Sequence, residues 1–223
     1  MPDVDRIEIL AREPASPEDR FLRLETLRVR NHYGDGTASR EYPCDVVLAP
    51  GIDAVAVILF YREGERVFVG LSDYIRPAVC LRRELPLIQP DGRVYLTVTE
   101  VVAGRFEPAD AGEGGIDRRA AVEAREEAGF HVGPGDAIHL GGGLFSSPGQ
   151  TPEKVYFRAF EIDPSQQRAA HGDGSPMEAC RSIRFMELSE AIRKCVCGEI
   201  EDPKAEIGLR RLADHLGHPP RSA

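Results

Sequence analysis

The chain has 223 residues and a formal net charge of −9, with 37 acidic against 28 basic side chains. Its hydrophobic fraction of 42% and charged fraction of 29% are close to the averages of soluble globular proteins, which excludes a disordered or fibrous chain. The acidic balance argues against a nucleic-acid-binding or anionic-membrane surface, because both need a basic field, and an anionic substrate would need bound cations to receive it.

The first part of the chain has the pattern of two antiparallel hairpins. Residues 20–31 alternate apolar and charged side chains with period two, and residues 39–49 follow after the turn-prone sequence YGDGT. Residues 53–61 and 66–74 are rich in β-branched and aromatic side chains, and the intervening REGE suits a tight reversal. The second hairpin is therefore expected to be more buried than the first.

A strand and then a helix are predicted in the middle of the chain. A proline-containing loop over 80–94 precedes a predicted strand over 94–102. From Ile116 to Ala128 small apolar residues recur every four positions, which gives a narrow stripe that can lie close against a sheet. Asp117 suits the first turn of this helix, and Gly129 suits its end.

The last part adds strands and two more helices. KVYFRAFEI and CRSIRFMEL read as strands, and ELSEAIRKCV and PKAEIGLRRLADHLG read as helices separated by Asp202 and Pro203. The whole order predicts an α/β sandwich with a mixed sheet.

Three glutamates gather on one face of the central helix. Glu123, Glu126 and Glu127 stand at positions i, i+3 and i+4. Taken alone, EAREE also fits a solvated acidic face, but the helix has no lysine to alternate with these glutamates. Clustered carboxylates are what the hard cation Mg²⁺ prefers, with water and phosphate completing its coordination.

The wider pattern resembles the Nudix box, written G-x5-E-x7-R-E-U-x-E-E-x-G-U with U bulky and apolar. The residues that carry this resemblance are Ala103, Gly104, Glu123, Glu126, Glu127, Gly129 and Phe130. Four segments between about residue 20 and residue 216 also resemble ADP-ribose pyrophosphatases of this family: YIRPAV, EVVAG, SPGQTPE and KCVCGEIEDPKAEIGL.

The resemblance implies a Nudix-type α/β/α sandwich with N-terminal antiparallel strands, in which water attacks one phosphorus of a pyrophosphate with help from Mg²⁺. It implies that Glu123 and Glu127 are the main Mg²⁺ ligands, with the Ala103 carbonyl as a backbone ligand. Glu126 would be a further ligand with a catalytic part. Mn²⁺ is a possible substitute for Mg²⁺.

Other site residues follow from the same resemblance. Arg76 and Glu153 are predicted to bind the substrate, although Arg76 also fits an ordinary surface arginine. In this subfamily the proton-accepting carboxylate often lies on a late loop, so Glu178 is the candidate general base and Asp173 the second. We expect residues 1–50 to form an N-terminal strand region that contributes to a homodimer, and residues 51–223 to form the catalytic domain.

Two departures from the motif bear on activity. Val122 stands where the pattern has an arginine that orients a carboxylate, and Arg118 or Arg125 is a hypothetical substitute one turn away. Glu123 follows Gly104 by 19 positions, where the motif has 15. The extra residues leave the upstream motif glutamate open between two candidates, Asp110 and Glu113.

The leading functional hypothesis is therefore Mg²⁺-dependent hydrolysis of ADP-ribose to AMP and ribose 5-phosphate. Another nucleoside diphosphate sugar, such as GDP-mannose, is an alternative substrate. A Nudix-fold binding or regulatory module without catalysis is an alternative function, which Val122 and the longer loop motivate. The five cysteines show no disulfide-like spacing, no stretch has about 18 apolar residues, and MPDVDRIEIL lacks a signal-peptide pattern, so we expect a cytoplasmic location.

Overall fold

The computed structural model describes residues 3–17, 19–170 and 182–217. The chain divides into two compact units. The first contains Met1–Asp53 and Leu144–Lys154, and the second contains Ala54–Gly143 and Val155–Ala223. None of the described helices is long and apolar enough to cross a membrane.

The first unit contains an antiparallel sheet of three strands in the order β1-β2-β3. These strands are β1 (Val4–Pro14), β2 (Arg23–Tyr33) and β3 (Tyr42–Leu48). The pairing of β2 with β3 confirms the first predicted hairpin. Strand β1 is an addition to that hairpin, and its pairing with β2 has register shifts that break the simple alternation.

The second unit is built on a mixed sheet. Strand β4 lies between β5, with which it pairs antiparallel, and β10, with which it pairs parallel; β11 and β8 flank these strands. The hairpin of β4 with β5 confirms the second prediction. The remaining bounds along the chain are β4 (Ala54–Glu63), β5 (Arg66–Ile75), β6 (Thr97–Glu100), β7 (Val102–Arg105), β8 (Ile138–His139), β9 (Leu144–Phe145, in the first unit), β10 (Lys154–Glu161) and β11 (Arg184–Glu187).

The single strand predicted over 94–102 is wrong in two respects, because the strand begins at Thr97 and the chain divides at Val101. Strand β6 pairs with the end of β5, whereas β7 pairs with the beginning of β4. Two consecutive short strands of this segment therefore pair with two different strands. This division brings Ala103 and Gly104 of β7 to the middle of the sheet, opposite Ala56 and Val55.

Helices cover the two faces of the second unit's sheet. The helices are α1 (Pro77–Cys80), α2 (Gly115–Ala128), α3 (Leu188–Val196) and α4 (Pro203–His215), so the predicted central and C-terminal helices are confirmed. Val57 of β4 belongs to the buried cluster under α2, whereas the next residue, Ile58, touches Gly208 of α4. Because successive strand side chains point to opposite faces, α2 and α4 lie on opposite sides of β4.

Helix α2 ends where the sequence predicts. Gly129 has a positive φ of 76°, and the N–H groups of Gly129 and Phe130 donate to the carbonyls of Arg125 and Ala124, both at 3.0 Å. This is the pattern of a glycine-terminated helix with two additional backbone bonds. It fixes the last turn, which carries the glutamates.

Candidate functional site

The Glu123 side chain lies directly against the backbone of Gly104. A Cβ atom placed on Gly104 would be 1.8 Å from Oε1 of Glu123, so no other amino acid fits there without displacing the carboxylate. The Glu123 side chain is only 11% exposed. Helix α2 and strand β7 therefore bring together two residues that are 19 positions apart in sequence.

Glu123 is an unusual carboxyl group because of this location. Its burial and the nearby charge of Glu127 raise its pKa from 4.5 to about 7, while the guanidinium of Arg119 acts in the opposite direction. A carboxyl group whose pKa is near 7 readily releases its proton at neutral pH when a cation takes the proton's place. The geometry and charge of Glu123 are thus suited to a site that is completed by a bound metal.

Glu127 lies on the same side of α2 and is held by two neighbouring strands. The hydroxyl of Tyr74 on β5 donates to its Oε2 at 2.8 Å, and the N–H of Ala103 on β7 donates to the same oxygen at 3.4 Å. The structure therefore brings Ala103, Glu123 and Glu127 together, as the resemblance implies. Tyr74 is an addition that the motif gives no reason to expect.

Glu126 lies nearer to solvent. Its side chain is 46% exposed and accepts a hydrogen bond from Arg125 at 2.8 Å. Within residues 3–17, 19–170 and 182–217, no three acidic, thiol or imidazole side chains are preassembled as a metal cluster. The donors that the site offers, carboxylate oxygens and a backbone carbonyl, are those that suit Mg²⁺.

Arg119 is, like Tyr74, a residue of the site that the sequence motif does not single out. Its side chain is 7% exposed and lies among three carboxylates, with N···O distances of 2.7 Å to Asp110, 3.1 Å to Glu107 and 3.4 Å to Glu123. Its position one turn before Glu123 on the helix is the available signal, because residues at i and i+4 share a face.

The two arginines suggested as substitutes at Val122 have other contacts. Arg118 donates to the backbone carbonyls of Glu113 and Ala111 at 2.7 and 3.2 Å, and Arg125 donates to Glu126. None of these three hydrogen bonds involves Glu123. The contact between Arg119 and Asp110 also distinguishes Asp110 from Glu113 as the acidic partner upstream of the helix.

Arg76 belongs to a charged network beside Glu127. Its guanidinium donates two hydrogen bonds to Glu100, at 2.6 and 3.0 Å, and lies over the ring of Tyr74 with 4.9 Å to the ring centre. Lys204 at the start of α4 donates to the other side of the network, at 3.2 Å to Glu100 and 2.7 Å to Asp202.

Charge pairing outweighs burial at the centre of this network. Burial raises the pKa of Glu100. Hydrogen bonds and charge from Arg76 and Lys204 lower it by a larger amount, so the pKa lies below its ordinary value. Glu100 is therefore ionised, and it holds Arg76 in place. The Arg76 side chain remains 38% exposed, which leaves part of it accessible to a ligand.

Glu153, Glu178 and Asp173 are the remaining predicted residues. Glu153 lies in the first unit, where its carboxylate accepts a hydrogen bond from Ser146 at 3.1 Å. Glu178 and Asp173 lie outside the described residues. The substrate-binding role of Glu153 and the identity of the base stay predictions.

Comparisons with known proteins give a likeness in structure. No protein-family model matches the chain, and no curated protein matches it in sequence. A crystal structure titled as an ADP compounds hydrolase matches with a TM-score of 0.54 and 15% identity, over 97% of this chain and 96% of that one. An Ap4A hydrolase binary complex from C. elegans has a TM-score of 0.44 and 13% identity, over 74% of this chain and 98% of that one. The NUDIX domain of Shewanella oneidensis NrtR, complexed with ADP ribose, has a TM-score of 0.42 and 13% identity, over 76% of this chain and 90% of that one. The chain therefore shares its fold with an ADP compounds hydrolase, and the predicted α/β fold with a mixed sheet and N-terminal antiparallel strands is confirmed.

Proposed function

We propose that the chain is a Nudix hydrolase that cleaves the pyrophosphate of a nucleoside diphosphate derivative. The observation that carries this proposal is the close approach of Glu123 and Glu127 on α2 to Ala103 and Gly104 on β7. The motif pairs these same residues, and their contact in space gives the sequence pattern a physical reason. Gly104 is required because the Glu123 carboxylate occupies the space of a side chain.

The chain's own residues have distinct parts in this proposal. Glu123, Glu127 and the Ala103 carbonyl would hold the cation, with Glu126 as an outer ligand and catalytic carboxylate. When bound, Mg²⁺ supplies charge neutralisation for the phosphate oxygens and lowers the pKa of its bound water. Tyr74 holds Glu127 by its hydroxyl. Glu178 remains the proposed proton acceptor.

The proposed substrate is ADP-ribose, with AMP and ribose 5-phosphate as products. The shared fold with an ADP compounds hydrolase supports an ADP-containing substrate. The exposed part of Arg76 supports it too, because a planar guanidinium can bind a phosphate or stack on a base. Glu153 completes the proposed substrate contacts.

The first experiment measures Mg²⁺-dependent release of AMP from ADP-ribose by wild type and by Glu127→Gln. This change keeps the shape of the side chain and removes its charge. Glu113→Gln is the matched control, because Glu113 is another glutamate of the same segment whose backbone carbonyl is its contact with α2. We expect turnover to collapse in Glu127→Gln and to persist in the control.

Three other results would separate the alternatives. Faster release of the nucleoside monophosphate from GDP-mannose than from ADP-ribose would support the same reaction class with a different substrate. Intact ADP-ribose that binds tightly to wild type would indicate a binding module without catalysis. Wild type that neither binds nor cleaves any nucleoside diphosphate sugar, with or without Mg²⁺ or Mn²⁺, would contradict the proposal.

A homodimer through the N-terminal strands is part of the proposal. The first unit exposes large apolar side chains, which are an energetic cost unless another surface covers them. Ile7 and Ile9 on β1 are 60% and 48% exposed. Light scattering should give twice the monomer mass for wild type and the monomer mass for Ile7→Glu/Ile9→Glu; a monomeric wild type would contradict the dimer.

We also propose a cytoplasmic location for the protein, which cell fractionation tests.

A further inference from the structure

We infer that Arg119 is the positioning residue that holds Glu123 in its metal-facing place, through a bridge from Asp110 to Arg119 to Glu123. This inference rests on the proposed function. The bridge takes the part that the sequence pattern gives to an arginine at position 122, where this chain has a valine. It adds a residue to the site that the motif does not contain.

The contacts of Arg119 make it a bridge rather than a simple pair. Its Nε donates to Asp110 at 2.7 Å, and its Nη1 donates to Glu123 at 3.4 Å. The planar guanidinium has fixed donor directions, so one anchored edge determines where the other edge points. Asp110 therefore sets the direction in which Arg119 meets Glu123.

Burial gives the bridge its strength. The side chains of Arg119 and Asp110 are 7% and 8% exposed, so water competes little for their hydrogen bonds. Glu107 contacts the same guanidinium but is 65% exposed, which makes it a weaker partner. A salt bridge that is exposed on one side cannot fix an orientation as well as one that is buried on both.

The loop before α2 is built to deliver Asp110. Pro108–Asp110 forms a short 3-10 turn in which the N–H of Glu107 donates to the Asp110 carboxylate at 2.8 Å. Gly115, the first residue of α2, lets the loop approach the helix closely, because a Cβ there would be 1.7 Å from the Asp110 carbonyl oxygen. The longer loop is thus held against the helix at both the backbone and the side chain.

The test uses Arg119→Lys, which keeps the charge but replaces the fork by a single flexible ammonium group. The matched control is Arg118→Lys, on the same helix, where the arginine donates to the backbone carbonyls described above. Binding of Mn²⁺ alone is measured by electron paramagnetic resonance, without substrate. We expect Arg119→Lys to weaken Mn²⁺ binding about tenfold, the range typical of partners that orient metal ligands, and the control to change it less than about twofold.

A second variant tests the bridge from its other end. Asp110→Asn should weaken Mn²⁺ binding in the same direction as Arg119→Lys. Combining the two should add little, because both changes interrupt one connection. With ADP-ribose at saturating Mn²⁺, the variants should lower kcat while KM stays near the wild-type value.

Each remaining outcome overturns the inference. Lower thermal stability of Arg119→Lys with wild-type Mn²⁺ affinity would assign Arg119 to folding alone. Equal loss in Arg118→Lys would indicate a general effect of replacing an arginine on this helix. If wild type itself fails to bind Mn²⁺, the proposed function fails and the inference falls with it; if wild type binds Mn²⁺ and cleaves ADP-ribose but Arg119→Lys does so equally well, only the inference fails.

Discussion

Replacing Glu123 by glutamine tests how much its buried charge costs the folded protein. The carboxyl is mostly buried, Glu127 adds repulsion, and Arg119 offsets part of both effects. The pKa of Glu123 in the folded protein is therefore about 7, compared with 4.5 as its ordinary value. Glutamine has nearly the same shape and carries no charge at any pH.

The sign and size of the effect follow from this pKa. Between about pH 4.5 and pH 7 the folded protein keeps a proton that the unfolded chain has released, so stability falls as pH rises through this window. At about 1.36 kcal/mol for each pKa unit, the full cost above pH 7 is about 3 kcal/mol. Between pH 5 and pH 8 the change is about 2–3 kcal/mol, because part of the cost is already present at pH 5.

The assay is urea unfolding of wild type and Glu123→Gln at pH 5 and pH 8, with a chelator present. The quantity of interest is the stability of the variant minus that of wild type, since titrating groups that do not interact with Glu123 cancel in this difference. We expect this difference to rise by about 2–3 kcal/mol from pH 5 to pH 8. Glu126→Gln, which removes a charge from a half-exposed position of the same helix, controls for the loss of charge alone.

Two results would refute this reasoning. A difference that changes by less than about 0.5 kcal/mol would show that burial does not raise the pKa of Glu123, and a difference that falls with pH would reverse its sign. Added Mg²⁺ extends the test. If Glu123 holds the cation, wild type at pH 8 should gain stability from Mg²⁺, because ligands stabilise the state that binds them, and Glu123→Gln should gain much less.

Three further substitutions test the contacts around the glutamates. Tyr74→Phe removes the hydrogen bond to Glu127 and should lower kcat/KM about tenfold, corresponding to about 1.5 kcal/mol for a bond to a charged group. Steady-state kinetics with ADP-ribose would give the wild-type kcat/KM if the bond is unimportant. Gly104→Ala should displace the carboxylate of Glu123 and weaken Mn²⁺ binding about 10- to 100-fold, and wild-type affinity would contradict the close approach. Gly129→Ala should lower the free energy of unfolding by about 2–3 kcal/mol, because φ is positive there and a Cβ would be 2.0 Å from a backbone carbonyl oxygen. Urea unfolding would give nearly the wild-type free energy if the helix can end differently.

The elements predicted correctly are those whose cause lies in neighbouring residues. Helix α2 follows from a stripe of alanines and a terminal glycine, and the bounds of Gly115–Ala128 differ from the prediction by one residue at the start. The β4–β5 hairpin follows from two apolar runs around a short polar turn. Local spacing and turn chemistry are enough in these cases.

The elements predicted incorrectly depend on partners that are distant in sequence. Residues 94–102 read as one strand because nothing in VYLTVTEVV marks a change of partner at Val101. The division appears only when β5 and β4 are both present to pair with its two parts. Strand β1 is not marked by its own sequence, which alternates poorly, and its pairing with β2 is what defines it.

The site shows the same contrast. The motif places Glu123 and Glu127 on one helix face, and in the structure they lie beside Gly104 and Ala103. Tyr74 has no fixed spacing from the motif. Its hydrogen bond to Glu127 arises because the fold places strand β5 beside the helix.

The two departures from the motif are physically connected. A valine at 122 leaves Glu123 without the expected arginine, and taken alone it suggests a weakened site. The four extra residues, taken alone, suggest a slack loop, since added loop length costs little and constrains little. Together they have a different meaning, because the longer loop carries Asp110 to Arg119, one turn before Glu123, where a buried guanidinium can bridge them. A substitution at one position of a motif is therefore poorly judged without the residues that its neighbours bring into contact.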